Sequence, residues 1–246
     1  MDSRERQPEP ALIPAWARRP AVVLLVCSLA ISVIIGVLAA HASHPDAVDR
    51  SVDSWVQGHL GTHARVLSLV VDIAEPVQFA IITLVLILAC VAVRRLNAAV
   101  LVAVSVPAAV ILTEFIFKPL VHRTLHGALV YPSGHTCRVF TLATIIAVLM
   151  LNPPSQRPRS AVRIVIGLAA TAVGCAVAVA VIGLNWHYFT DTIGGATLAI
   201  GVVLATAFLV DKSGIAERLP GHREAAPEVT PSNRPATLVQ EPGKTD

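Results

Sequence analysis

Long apolar runs alternate with short polar breaks along most of this chain. Six runs approach the ~20 residues needed to cross about 30 Å of hydrocarbon as a helix. They lie near Ala21–Ala42, Val77–Val93, Ala98–Phe117, Thr136–Leu151, Ile164–Leu184 and Thr192–Val210. The fourth is short and is expected to extend through the polar residues at its start. Between the first two, Val52–Ala74 is mixed in polarity and predicts a helix or helical hairpin on the outer surface. The first 20 residues are rich in Pro and Arg, and the residues after Asp211 in Pro, Glu, Thr and Ser. Such segments carry too little apolar surface to offset the entropy of ordering and read as disordered tails. The expected organisation is therefore a disordered tail 1–20, a membrane domain 21–210 and a disordered tail 211–246. The expected fold class is all-α, an integral membrane bundle of six helices.

Composition agrees with this pattern. Charged residues are 14% and hydrophobic residues 54%, against ~25% charged in a typical soluble domain. The net charge of +3 is small, and its basic residues are scattered between apolar runs. No basic stripe is interleaved with aromatics, which excludes a nucleic-acid partner. Cys27, Cys90, Cys137 and Cys175 form no Cys-x-x-Cys pair. They read as buried free thiols rather than a disulfide frame or a metal knuckle. The abundance of Arg, Ala and Val fits a bacterial chain, so the expected location is a bacterial inner membrane.

Orientation follows from Lys and Arg in the short loops. Arg4, Arg6, Arg18, Arg19, Arg94, Arg95, Arg157, Arg159 and Arg163 fall on one side. Arg50, Arg65, Lys118, Arg123 and Arg138 fall on the other. The richer side is expected to be cytoplasmic, with both termini inside and the polar loops after spans three and five facing outward. The first apolar run is longer than the 7–15 residues of a signal-peptide core, so it reads as a retained span despite Ala40-His-Ala42.

Those outward ends hold the candidate chemistry. Span three ends in Glu114, Lys118, His122, Arg123 and His126; span four opens with Ser133, Gly134, His135 and Arg138; the turn between spans five and six carries Asn185, His187 and Asp191. Cations, backbone N–H groups of a Ser-Gly turn and a helix N-terminus suit a phosphate dianion. His187 and Asp191 are four apart and share a helix face. A carboxylate on one ring nitrogen fixes the tautomer and leaves the other free to attack. His135 is placed to protonate a leaving alkoxide, and Lys118 to neutralise phosphoryl oxygens. Hydrolysis split into formation and breakdown of a phosphohistidine needs no metal, and no cofactor is expected. His122/His126 and His59/His63 have helix-face metal spacing, yet no nearby acid or Cys completes a set. No metal site is expected.

These residues resemble the type 2 phosphatidic acid phosphatase superfamily, which includes vanadium-dependent haloperoxidases. Its members carry Lys-x6-Arg-Pro, Pro-Ser-Gly-His and Ser-Arg-x5-His-x3-Asp. The second motif is intact at Pro132–His135, His187 and Asp191 match the third, and Lys118 matches the first. Leu125-His126 stands where the family has Arg-Pro, and Ala180-Val181 where it has Ser-Arg. Arg123 fits an additional Arg found in many bacterial members, and Arg138 is a candidate replacement for a missing guanidinium. The resemblance implies a lipid phosphatase with His187 as nucleophile, Asp191 as its orienter and His135 as general acid. It implies Lys118, Arg123, Ser133 and Gly134 as phosphate holders, with Arg138 beside them. The implied partners are a lipid-linked phosphate or polyprenyl (di)phosphate and membrane lipids; no protein partner is indicated. The alternative is a weakly catalytic or non-catalytic relative that binds or moves a phospholipid headgroup.

Overall fold

The structure is a computed structural model that describes residues 9–42, 44–152 and 160–213. Among these, the helices are α1 (Ala15–Ala39), α2 (Ala47–Leu60), α3 (Ala64–Val71), α4 (Pro76–Ala92), α5 (Leu96–Ile111), α6 (Lys118–Val121), α7 (Gly134–Leu151), α8 (Ser160–Gly183) and α9 (Phe189–Ser213). A π-helical segment, Leu112–Phe117, joins α5 to α6, so Leu96–Val121 is one candidate span. Together with α1, α7, α8 and α9 this makes five helices long and apolar enough to cross a membrane. The 17-residue α4 becomes a sixth only when joined to Ala47–Ala74, across a 45° bend. The bend has a local cause. Glu75 precedes Pro76 and is extended (φ −64°, ψ 148°), because the pyrrolidine ring disfavours helical backbone in the residue before it. Pro76 then opens α4, where its missing N–H removes no helical bond.

The bundle centres on α9, which packs against α1, α5 and α7. Its inner face meets Leu101, Val102 and Ile145 through Val203 and Ala207, all fully buried. The exposed apolar faces lie on the outer helices: Val23 and Leu38 on α1, Leu84 and Val85 on α4, Ile164 and Leu168 on α8. In water such faces would be unstable; against lipid they are the solvated surface.

One expectation is corrected. Residues 9–20 are folded, not a disordered tail. Leu12 and Ile13 are fully buried, and their N–H groups donate to the two carboxylate oxygens of Asp211 at 2.7 and 3.0 Å. Asp211 therefore closes the fold, and α9 continues to Ser213. The remainder of the expected tails, 1–8 and 214–246, and Arg157 and Arg159, lie outside the described residues. The protein is mostly helical, as expected of an all-α bundle, and adds a short two-stranded hairpin, Thr124–Leu125 against Ala128–Leu129. Its two-residue turn has φ 50° at His126 and φ 82° at Gly127, the positive pair that matches strand twist in a tight hairpin.

Candidate active site

Two helix N-termini meet at one end of the bundle. Ser133 caps α7, its Oγ accepting from the Thr136 N–H at 3.4 Å. Its own backbone N–H donates to the Asp191 carbonyl at 2.9 Å. This tie fixes the Pro132–His135 turn against the first turn of α9. The approach needs glycine: a Cβ on Gly195 would lie 2.5 Å from the Ser133 carbonyl oxygen, and one on Gly194 would enter the Tyr131 ring.

His187 sits just before α9 and is buried. Its Nδ1 lies 3.0 Å from the Val130 carbonyl and 3.7 Å from Asp191 Oδ2. A carbonyl only accepts, so Nδ1 carries the proton and Nε2 keeps its lone pair. The expected tautomer is thus reached by a different partner. Asp191 does not make the direct hydrogen bond expected of an orienter. Its Oδ2 accepts from the Tyr188 N–H at 2.9 Å, and it stands beside the imidazole as a fixed charge.

Arg123 is also placed differently from expectation. It is 2% exposed, and its guanidinium donates to Asp191 Oδ1 (2.7 Å), Thr190 Oγ1 (2.7 Å) and Asp49 Oδ2 (2.5 Å). Its plane lies 4.2 Å from the centre of the Tyr188 ring. Burial opposes the charge, but Asp191 and Asp49 outweigh it and hold the guanidinium above its usual range. Its terminal nitrogens bond within the protein, so the geometry does not present Arg123 to a phosphate.

The partner Asp49 belongs to α2, outside the sequence motifs. Asp49 Oδ1 accepts from the Thr190 N–H at 2.8 Å, and Asp53 Oδ1 from the Phe189 N–H at 3.0 Å. Gln57 Nε2 reaches the Ile182 carbonyl at 3.3 Å and Asn185 Oδ1 at 3.3 Å. Residues 49, 53 and 57 repeat every four and form one stripe along the helix. That spacing, within a segment mixed in polarity, was the available signal.

The opposite wall is more open. His135 Nε2 is 3.4 Å from Glu75 Oε1, and its ring faces His187 at 6.4 Å and Trp186 at 5.8 Å between centroids. Lys118 Nζ bonds Glu114 Oε2 at 2.6 Å. Arg138 donates to the Ala74 carbonyl at 3.1 Å and lies 4.0 Å from Glu114 Oε1. A Cβ on Gly134 would stand 2.5 Å from Glu114 Oε1 and 3.9 Å from Lys118 Nζ. Glu114 therefore rests against the start of α7, between the two cations. The π-helical segment carries Glu114 and leads directly into Lys118; such irregular turns are frequent at functional sites.

His135, Lys118, Ser133, Gly134 and Arg138 are thus gathered with His187 and Asp191 at one end of the bundle. The positions that depart from the family motifs have physical occupants. Ala180 and Val181 are buried against Leu67, Val71 and Ala74, and Leu125 and His126 form the hairpin. Among the described residues no group of three or more His, Cys, Asp or Glu is arranged to hold a metal.

No curated protein sequence gives a significant match to the chain. The profile of the PAP2 superfamily matches residues 111–215, which include Lys118, Arg123, Pro132–His135, Arg138, His187 and Asp191. Among solved structures, the chain is similar to the first transmembrane PAP2 type phosphatidylglycerolphosphate phosphatase from Bacillus subtilis. The TM-score is 0.57 at 19% identity, covering 81% of this chain and 96% of that one. The PAP2 superfamily resemblance read from the motifs is borne out, and the shared fold reaches well beyond the matched segment.

Proposed function

We propose that this chain is a membrane phosphatase that hydrolyses a lipid-linked phosphate or diphosphate at the outer leaflet through a phosphohistidine on His187. The observation that carries this reading is the His187 imidazole: Nδ1 is tied to the Val130 carbonyl, and the ring faces His135 across 6.4 Å. The two rings stand on opposite walls of one site, so a phosphoryl group bound between those walls is met by a nucleophile on one side and a proton donor on the other. His187 Nε2 attacks phosphorus, the bond from phosphorus to the lipid oxygen breaks, and His135 gives that oxygen its proton. Water, deprotonated by His135, then attacks the phosphohistidine, releasing phosphate and restoring both rings. Lys118, Arg138 and the Ser133–Gly134 turn hold the phosphoryl oxygens, with Glu114 displaced from Gly134 as phosphate enters.

The apolar faces of the bundle favour a substrate that stays in the lipid: phosphatidic acid, phosphatidylglycerophosphate, or a polyprenyl phosphate or diphosphate. A second reading, headgroup binding without turnover, is favoured by one observation: Glu114 engages both cations of the open wall. The test is phosphate release from a panel of these lipids by purified protein with EDTA present, beside His187→Ala. Release that survives EDTA and is lost in the variant supports the phosphatase. No release from any lipid, with vesicle binding retained, supports the second reading.

A further inference from the structure

We infer that Asp49 is a positioning residue for the His187–Asp191 pair, and that Arg123 works with it in that role rather than as a phosphate ligand. This inference rests on the proposed phosphatase reading, because it assigns His187 as the nucleophile that is being positioned.

Three features of the geometry carry it. Asp49 is fully buried, and both its oxygens are engaged by the first turn of α9 and by Arg123. Arg123 in turn bridges Asp49 and Asp191 with its two terminal nitrogens. A planar guanidinium can hold two carboxylates in a fixed relation, which a lysine ammonium cannot do. Finally, the contacts fall where misplacement would be felt. Tyr188 alone separates His187 from Phe189, Thr190 and Asp191, and the N–H groups of Phe189 and Thr190 end on Asp53 and Asp49. Gln57 holds the preceding turn at Ile182 and Asn185. The polar stripe of α2 thus clasps the segment 182–190 on both sides of His187. A shift of about 1 Å in a reacting group can cost on the order of 10² in rate, so such a clasp acts on turnover more than on binding.

The setting of the imidazole separates positioning from mere folding. His187 is 7% exposed, tied to the Val130 carbonyl and followed by the segment that Asp49 and Asp53 hold. Loosening that hold lets the ring leave its buried setting and meet a solvent-borne reagent more readily, while the rest of the bundle keeps its packing.

The experiment compares Asp49→Asn, Arg123→Lys, Arg123→Gln and the double variant Asp49→Asn/Arg123→Gln, which restores the charge balance should a single variant misfold. Two readouts are taken. One is kcat and KM for the best lipid phosphate of the panel. The other is the rate of carbethoxylation of His187 at fixed pH, followed by mass spectrometry, which needs no activity. Expected are a ten- to hundredfold loss of kcat with KM changed less than about threefold, non-additive effects in the double variant, and a severalfold faster carbethoxylation of His187 in Asp49→Asn. A KM rise in Arg123→Lys with kcat retained would return Arg123 to the phosphate and overturn the inference. An unchanged His187 carbethoxylation rate in Asp49→Asn would also overturn it. Wild-type protein that releases no phosphate fails the functional reading instead, and the carbethoxylation rate still decides the placement of Asp49.

Discussion

On the His187 side of the site, His187, Asp191, Arg123 and Asp49 are 0–9% exposed; Arg123 joins the two acids at 2.5 and 2.7 Å, His187 Nδ1 meets the Val130 carbonyl at 3.0 Å, and Asp191 Oδ2 stands 3.7 Å from the imidazole. On the His135 side, the side chains of His135, Glu75, Lys118, Glu114 and Arg138 are 17–40% exposed. There the ion-pair contacts at 3.4 and 4.0 Å are loose and that of Lys118 with Glu114 is close, while Arg138 donates to the Ala74 carbonyl at 3.1 Å. The difference suits two tasks. A nucleophile must be held before substrate arrives, so its charges are buried, where a missing partner is expensive. Groups that receive a charged substrate must exchange partners, so they stay near water, where breaking an ion pair costs about 1 kcal/mol or less.

The comparison is broken most severely at the nucleophile. His187→Ala is expected to lower phosphate release by on the order of 10³ or more. A variant retaining a tenth of the activity would remove His187 from the chemistry and the closed wall from its proposed role. The open wall gives the opposite sign. Glu114→Gln frees Lys118 and Arg138 for an incoming anion, so inorganic phosphate should inhibit at several-fold lower concentration. Unchanged inhibition would show that Glu114 does not compete for the place of the phosphate.

The open wall was largely legible in the sequence, and the closed wall only in part. Lys118, Ser133, Gly134, His135, His187 and Asp191 sit in motifs whose spacing places them at span ends. Arg123 stands out in the sequence but its role does not, because a buried arginine and a phosphate-binding one look alike without their partners. Those partners come from far away: Asp49 is 74 residues from Arg123, and Glu75 is 60 from His135. Hydropathy located the apolar runs and missed α2 as a scaffold, since a polar stripe on an interfacial helix resembles a solvated face. The folded residues 9–14 escaped for a related reason. Their order comes from burial of Leu12 and Ile13 and from one carboxylate 199 residues away, neither visible in local composition.

Glycine substitutions sharpen the contrast in stability. Gly195→Ala drives a Cβ into the Ser133 backbone at 2.5 Å, which cannot yield without separating α7 from α9. The expected loss is about 1–3 kcal/mol, or several degrees of melting temperature for a chain of this size. Gly134→Ala meets only the end of the Glu114 side chain at 2.5 Å. That group can swing away, so melting should hardly move while phosphate inhibition changes. Equal destabilisation by both would mean the open wall is as rigid as the closed one.

The smallest expected effect concerns protons on the closed wall. Burial and then the neighbouring Asp49 charge push the Asp53 carboxyl up from 3.8 to about 7, against the lowering pull of the Phe189 N–H. A folded-state value above the unfolded one means that the native protein binds the proton more tightly. The stabilisation is then complete below pH about 4 and is lost as pH rises toward 7. Detergent-solubilised protein is therefore expected to melt a few degrees lower at pH 8 than at pH 5, with little further change above pH 8. Asp53→Asn keeps an oxygen for the Phe189 N–H and cannot ionise, so its melting temperature should vary less across that window. At pH 8 it should match or exceed the wild type. The result bears directly on the clasp: two ionised carboxylates four residues apart would repel along α2, and a neutral Asp53 lets Asp49 carry the charge that Arg123 requires. A pH dependence identical in the variant would place the titration elsewhere and leave both acids charged against α9.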